Sequence, residues 1–342
     1  MVVSSLEDII IVDNLHKTYG KNVIAVDGIS FTVKKGEIFG FLGPNGAGKS
    51  TTIKILTTLL EKTSGKAKID GLDVDADQVK VRRIIGYSSQ EVGVDDDLTA
   101  RENLMLQCSF HHIPKEKAKV KVNALLQTIR LSEAADRRLK TFSGGMRKRL
   151  DLASSLVSDP KILFLDEPTT GLDPQSRQDV WEYIVKLNRD GMTIFLTTQY
   201  MEEADRLANR LCIVDQGKIV AEGTPAELKA QVGADKITLR FKIDDLEGCA
   251  KAKDLMAKLQ GIKAVGKCGD GMAAENSLTI MTKNGSALVT QVVRALDGAG
   301  ITVEQLNLSA PTLDEVFLKL TGKTLNVVER KQTTGGWGRR RR

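Results

Sequence analysis

The sequence predicts an α/β domain with a mainly parallel central sheet, followed by a smaller α+β domain. Three observations carry this. Apolar, β-rich runs alternate with helical periodicity up to about residue 230. A glycine-rich phosphate-loop pattern sits between one of those runs and the helix after it. Beyond residue 236 the order of patterns changes to βαββαβ, the ferredoxin-like arrangement.

The elements follow in chain order. EDIIIVDN, within an amphipathic first strand, and AVDGISFTV are expected to lie in an antiparallel side sheet, because GK-type turns join the early strands. GEIFGFLG, KILFLDE, TIFLTT and RLCIVDQGKIVAEG supply further strands. Helical patterns cover KSTTIKILTTLL, the segment from Ala100 to Leu131, GGMRKRLDLASSLV and QSRQDVWEYIVKLNRDG, and an acidic helix starts after Gln199. A boundary near 224–236 leaves a first domain at 1–230, with a helical subdomain at about 91–157, and a second at 236–322. The second domain reads KITLRFKI, a helix from Leu246 to Gln260, GIKAVGKC, NSLTIMT, a helix from Ser286 to Gly298, and ITVEQLNL. A last helix, PTLDEVFLKLTG, starts with Thr312 as N-cap and Glu315 as capping-box partner.

Composition narrows the function. The chain has 342 residues, 41% hydrophobic and 27% charged, as in an ordinary soluble protein. No apolar run is long enough to span a bilayer, and the N-terminus lacks the regions of a secretory signal. The expected location is the cytoplasm, with any membrane work done through a partner. Cys108, Cys212, Cys249 and Cys268 are scattered and are expected to be reduced; with only His16, His111 and His112, a zinc site is not expected. The net charge of +6 resides in the tail 323–342, so the body carries no sign of nucleic-acid binding. That tail lacks an amphipathic pattern and reads as a solvated, disordered end.

GPNGAGKST, Gly43 to Thr51, matches GxxxxGK[ST] between a strand and a helix. The loop Gly43, Pro44, Asn45, Gly46, Ala47, Gly48, Lys49, Ser50 and Thr51 frames the phosphate chain with the backbone N–H groups of its residues other than Pro44, at a helix N-terminus that favours anions. Lys49 is placed for the β/γ-phosphates and Ser50 for Mg²⁺. KILFLDEP ends in Asp166, suited to support Mg²⁺, and Glu167, suited to polarise an attacking water. FSGGMRKRLDLA offers a second anion-binding helix start at Ser143, Gly144 and Gly145. One phosphate chain hardly needs two such sites, so the second is expected to serve the nucleotide of another copy of the domain.

These motifs, in this order, resemble the ATP-binding subunits of ABC transporters over residues 6–225. GPNGAGKST looks like Walker A, FSGGM like the signature motif with Met146 where Gln is usual, ILFLDEP like Walker B, and GLDP, with Asp173, like the D-loop. Tyr19 resembles the aromatic that stacks on adenine. Gln90 resembles the Q-loop glutamine, which reaches Mg²⁺ and the attacking water beside the permease-docking groove. The resemblance implies the P-loop ABC ATPase fold, ATP and Mg²⁺ as cofactors, and a head-to-tail homodimer around two ATP. SGGMRKRLDLASSLV, LTTQYMEEAD, LTARENL and PTLDEVFLKLTG are most similar to the daunorubicin/doxorubicin-resistance ATP-binding subfamily, which implies a separate ABC-2 permease at the cytoplasmic face of the membrane and export of a hydrophobic drug. A lipid, polysaccharide or peptide cargo remains the alternative, because the permease selects it. The superfamily usually carries a histidine at the position of Gln199; an amide can donate to a γ-phosphate but cannot shuttle a proton near neutral pH. The acidic run Asp95, Asp96, Asp97 reads as a solvated loop. A soluble ABC ATPase of translation or DNA maintenance is disfavoured by the single cassette and the absence of heptads.

Overall fold

The computed structural model describes residues 7–322, apart from 21, 233–234, 244, 267, 269–275 and 283. The tail expected to be disordered, 323–342, lies outside the described residues. Two compact units divide between Val220 and Ala221.

The first unit runs β1 (Asp8–Tyr19), β2 (Val23–Lys34), β3 (Ile38–Leu42), α1 (Lys49–Leu56), β4 (Ser64–Ile69), β5 (Leu72–Asp73), α2 (Gln78–Ile84), β6 (Ile85–Ser88), α3 (Ala100–Phe110), α4 (Lys115–Thr128), α5 (Gly144–Ser155), β7 (Ile162–Asp166), α6 (Pro174–Arg189), β8 (Thr193–Thr198), α7 (Met201–Leu207) and β9 (Arg210–Asp215), with β10 (Lys218–Gly223) crossing the division. The central sheet has the order β10-β9-β3-β8-β7-β6, and its β9–β3, β3–β8, β8–β7 and β7–β6 pairs are parallel. The side sheet, β2-β1-β4-β5, is antiparallel. Together these make an α/β unit with a mainly parallel central sheet and an antiparallel side sheet.

Sequence chemistry explains this arrangement. β3, β7 and β8 are buried along their whole length, as strands covered on both faces must be. Leu163 and Leu165 enter the core shared with α3–α6, while Ile162 and Phe164 enter the core under the side sheet. There Phe31 of β2 lies 5.4–5.9 Å from Phe39, Phe41 and Phe195, joining the two sheets through ring contacts.

The helical pattern from Ala100 to Leu131 is two helices. Thr99 opens α3 with a capping box to Glu102, and the chain breaks before α4 at His112, with φ 55°, and Pro114, the N-cap. A proline disfavours helical backbone in the residue before it, which accounts for the break.

The second unit runs α8 (Pro225–Val232), β11 (Asp235–Arg240), α9 (Leu246–Met256), β12 (Ile262–Val265), β13 (Ser277–Thr282), α10 (Gly285–Gly298), β14 (Gln305–Ser309) and α11 (Leu313–Thr321). Its antiparallel sheet, β12-β13-β11-β14, is the ferredoxin-like order. Ile237, Leu239, Leu278 and Ile280 meet Ala252, Met256, Val292 and Leu296 in its core.

Two expectations are corrected here. Cys249 and Cys268 are joined in a disulfide, their Cα atoms 6.2 Å apart. They stand 19 residues apart in sequence, and only the packing of α9 against β12 and β13 brings them together. Cys108 and Cys212 are buried and belong to no disulfide among the described residues. At α11, Thr312 accepts from the Glu315 N–H at 3.3 Å as expected, but the Glu315 carboxylate pairs with Lys236 at 2.6 Å instead of returning to the cap. No described helix is long and apolar enough to cross a membrane.

Candidate active site at the ends of three parallel strands

β3, β8 and β7 end side by side, with Leu42 opposite Thr198 and Thr197 opposite Asp166. Loops leaving the carboxyl ends of parallel strands form a common crevice. The phosphate loop leaves β3 here, and Gly43 N–H donates to the Thr198 carbonyl at 3.2 Å. Its tip, Asn45 and Gly46, is exposed, whereas Ala47 is buried and donates to the Pro44 carbonyl. Gly48, at φ 101°, has no room for a side chain: a Cβ would stand 2.4 Å from the Ala25 carbonyl oxygen.

Lys49 and Glu167 form the centre of the site. The Lys49 ammonium donates to the Gly43 and Pro44 carbonyls at 2.8 and 3.0 Å and pairs with Glu167 at 3.1 Å, with only 3% and 5% of the two side chains exposed. Glu167 has a left-handed backbone, φ 49°, sparsely populated for a residue with a side chain and typical of functional loops. Its other carboxylate oxygen accepts from the Gln90 amide at 3.4 Å and the Thr170 hydroxyl at 3.3 Å. Asp166 instead accepts from Ser50 at 3.2 Å and Thr197 at 2.5 Å. Thr197 also receives the Glu167 N–H on its carbonyl and hydroxyl oxygens, both at 3.1 Å. Beside this group, burial and the carboxylates of Asp166 and Asp151 push the Tyr87 phenol up to about 12.

Tyr19 is partly exposed, with its hydroxyl 3.5 Å from the Thr51 hydroxyl and Lys17 lying over its ring. Gln199 is half-buried at the end of β8, and its amide has no hydrogen-bond partner among the described residues.

The structure thus gathers Lys49, Ser50, Gln90, Asp166 and Glu167, with Tyr19 at the end of β1 meeting Thr51 in the first turn of α1. It holds Ser143, Gly144, Gly145 and Asp173 in a second group. Ser143 caps α5 through the Met146 N–H, and Ser143 and Gly144 are exposed. Gly145 packs so tightly on α6 that a Cβ would lie 2.4 Å from Ser176 Oγ. Asp173 caps α6; hydrogen bonds from the Ser176 hydroxyl and N–H hold its carboxyl below the usual range.

Sequence reading missed several residues of this site. Thr197 and Thr170 tie both carboxylates in place; a signal for Thr197 existed, two threonines closing an otherwise apolar strand. Lys148 and Asp151 form a buried ion pair on α5. Lys148 reaches the Ser89 carbonyl, while Asp151 accepts from Ser88 and from the Gly93 N–H, so both ends of the loop around Gln90 are anchored to the helix that Ser143 caps. The acidic run is partly engaged, since Asp96 pairs with Arg147 at 3.1 Å.

Comparison with known proteins agrees with this geometry. Residues 26–170 match the ABC transporter family model, and residues 223–321 match the model of the DrrA1-3-like ATP-binding protein C-terminal domain. The daunorubicin resistance ATP-binding protein DrrA3 of Streptomyces coeruleorubidus is 41% identical over 94% of this chain and 98% of its own. The daunorubicin/doxorubicin resistance ATP-binding protein DrrA of Streptomyces peucetius is 42% identical over 87% and 88%. Among solved structures, the dimeric post-hydrolysis state of the ATP-binding cassette MJ0796, bound to ADP and Pi, superposes with a TM-score of 0.58 at 27% identity, covering 63% of this chain and 98% of that one. With a phosphate loop after β3, two carboxylates at the end of β7 on the far side of β8, and relatives of this likeness along nearly its whole length, the chain belongs to the ABC transporter family as an ATP-hydrolysing, ATP-binding subunit of the daunorubicin-resistance type.

Proposed function

We propose that this subunit works as one half of a head-to-tail homodimer at the cytoplasmic face of a membrane, where it drives a separate ABC-2 permease that exports a hydrophobic drug or antibiotic. The observation that carries the catalytic part is the cluster around the buried Lys49–Glu167 pair, in which Glu167 also meets Gln90 and Thr170 beside the Ser50–Asp166–Thr197 group. The export part is supported by the names of the DrrA relatives.

In this reading Tyr19 stacks on adenine, and residues 43–51 wrap the phosphates. Lys49 exchanges the Gly43 and Pro44 carbonyls for phosphate oxygens. The oxygen donors fit Mg²⁺: the Ser50 hydroxyl and the Asp166 carboxylate lie within 3.2 Å of each other, and the Gln90 amide meets the adjacent Glu167. Held there by Ser50 and Asp166, Mg²⁺ would supply charge neutralisation for the phosphates. Glu167 accepts a proton from the attacking water, and Gln199 donates to the γ-phosphate as a neutral sensor.

Ser143, Gly144 and Gly145 bind the ATP held by the other copy, and Asp173 orders the loop between the two sites. Each nucleotide then belongs to both subunits, so its hydrolysis loosens the pair. Movement reaches the permease through the loop after Gln90, which α5 anchors through Lys148 and Asp151.

Drug accumulation in cells tests the export reading. Co-expression with the cognate permease should lower accumulation of doxorubicin, and Glu167→Gln should abolish that effect. Unchanged accumulation with the wild-type pair would remove the cargo assignment.

A further inference from the structure

We propose that Glu203 is a positioning residue for ATP hydrolysis: its buried carboxyl ties the loop that carries Glu167, and α6, to α7, the helix that follows the strand end carrying Gln199. This rests on the roles given above to those two residues. Glu203 lies on α7 and has no exposed surface. One of its oxygens accepts from the Thr169 hydroxyl at 2.7 Å and from the Trp181 indole N–H at 2.8 Å. Thr169 stands two residues after Glu167. The Thr198 hydroxyl, one residue before Gln199, faces the same carboxyl from β8, although the second oxygen completes no hydrogen bond. Trp181 brings in α6, the helix capped by Asp173.

Three segments therefore converge on one side chain. An inner brace already exists, because Thr197 holds Asp166 and the Glu167 N–H. Glu203 adds an outer brace one turn further along each loop. A third link runs in parallel: the Arg177 guanidinium of α6 lies 4.7 Å from the ring centre of Tyr200, the residue after Gln199.

Stability alone does not account for an acid at this place. Burial disfavours the ionised carboxyl and pushes Glu203 upward, against the pull of Thr198, Thr169, Trp181 and Arg177. An aliphatic side chain of the same length would fill the space without that penalty. What it could not supply is an acceptor oxygen that takes two donors from two different segments. Hydrolysis requires Glu167 and Gln199 to stay in fixed register with the γ-phosphate, and a misplacement of about 1 Å costs about 10²-fold in rate. The carboxyl is built for that register.

Steady-state ATPase kinetics on the full chain test this. Glu203→Gln keeps an acceptor for Thr169 and Trp181 and should hold kcat within about threefold of wild type. Glu203→Leu leaves both donors unpaired; kcat should fall about 10²-fold while KM for ATP moves less than about threefold. Thr169→Val removes one donor with little change of shape and should lower kcat about tenfold, so the test does not depend on the leucine variant folding. The inference is overturned if the leucine and valine variants turn over like wild type, if KM rises in step with the loss, or if glutamine fails as badly as leucine. Glu167→Gln, measured alongside, separates the two layers. If it loses hydrolysis while Glu203→Leu keeps it, the positioning role alone fails. If it hydrolyses ATP normally, the assignment of Glu167 fails and the positioning role falls with it.

Discussion

Gly145→Ala should damage the first unit through a contact that the signature pattern does not reveal. A methyl group at Gly145 would stand 2.4 Å from Ser176 Oγ and 2.6 Å from Ser176 Cβ. Ordinary contacts begin near about 3.5 Å, so the first turn of α6 must retreat by about 1 Å. Overpacking of this kind costs about 1–3 kcal/mol. At about 2 kcal/mol, Tm of a unit this size falls by about 4–8 °C. Ser176 cannot simply turn away, because its hydroxyl and N–H both hold Asp173. Ser176→Gly removes both clashing atoms, and by itself costs about 1 kcal/mol as a glycine in a helix. In the Gly145→Ala background the same change should instead recover stability, giving a coupling energy of about 1–2 kcal/mol. Scanning calorimetry of the four proteins, followed on the ATP-binding unit, measures this. Wild-type Tm for Gly145→Ala, or simple additivity in the double variant, would refute the packing argument.

Lys49→Ala removes one member of a buried ion pair and leaves Glu167 with neutral donors only. Stability should drop by about 3 kcal/mol in denaturant titration, and ATP binding should vanish in calorimetry; retained affinity would refute the role given to Lys49. Gln199→Ala deletes a single donor to a charged group, so hydrolysis should slow by about ten- to hundredfold with ATP affinity nearly kept, and wild-type turnover would reduce Gln199 to a strand end. Reduction of Cys249–Cys268, whose partners are 19 residues apart, should destabilise the second unit by about 3 kcal/mol and leave the first unit's transition in place. An unchanged second transition on adding reductant would contradict the bridge.

The features legible in the sequence are those set by neighbours along the chain. GPNGAGKST needs only its own residues to wrap a loop, and IFGFL, ILFLD and TIFLTT announce two-sided burial by consecutive apolar residues where a half-buried strand would alternate. The N-caps at Ser143 and Thr312 are equally local. Features created by tertiary approach were hidden. Cys249 finds Cys268 only after α9 folds against the sheet, and Glu315 abandons its cap because Lys236 of β11 comes near. The Lys148–Asp151 pair reads as surface charge until its burial is seen. Glu203 is the strongest example, since in MEEAD it cannot be told from its exposed neighbour Glu202.

If two copies close around ATP and Glu167 reopens them by hydrolysis, Glu167→Gln should lock the closed pair. Light scattering on that variant should find a stable dimer of twice the 37.3 kDa chain mass, formed with ATP and lost when ATP is replaced by ADP. A variant that remains at the monomer mass in saturating ATP would contradict that closure.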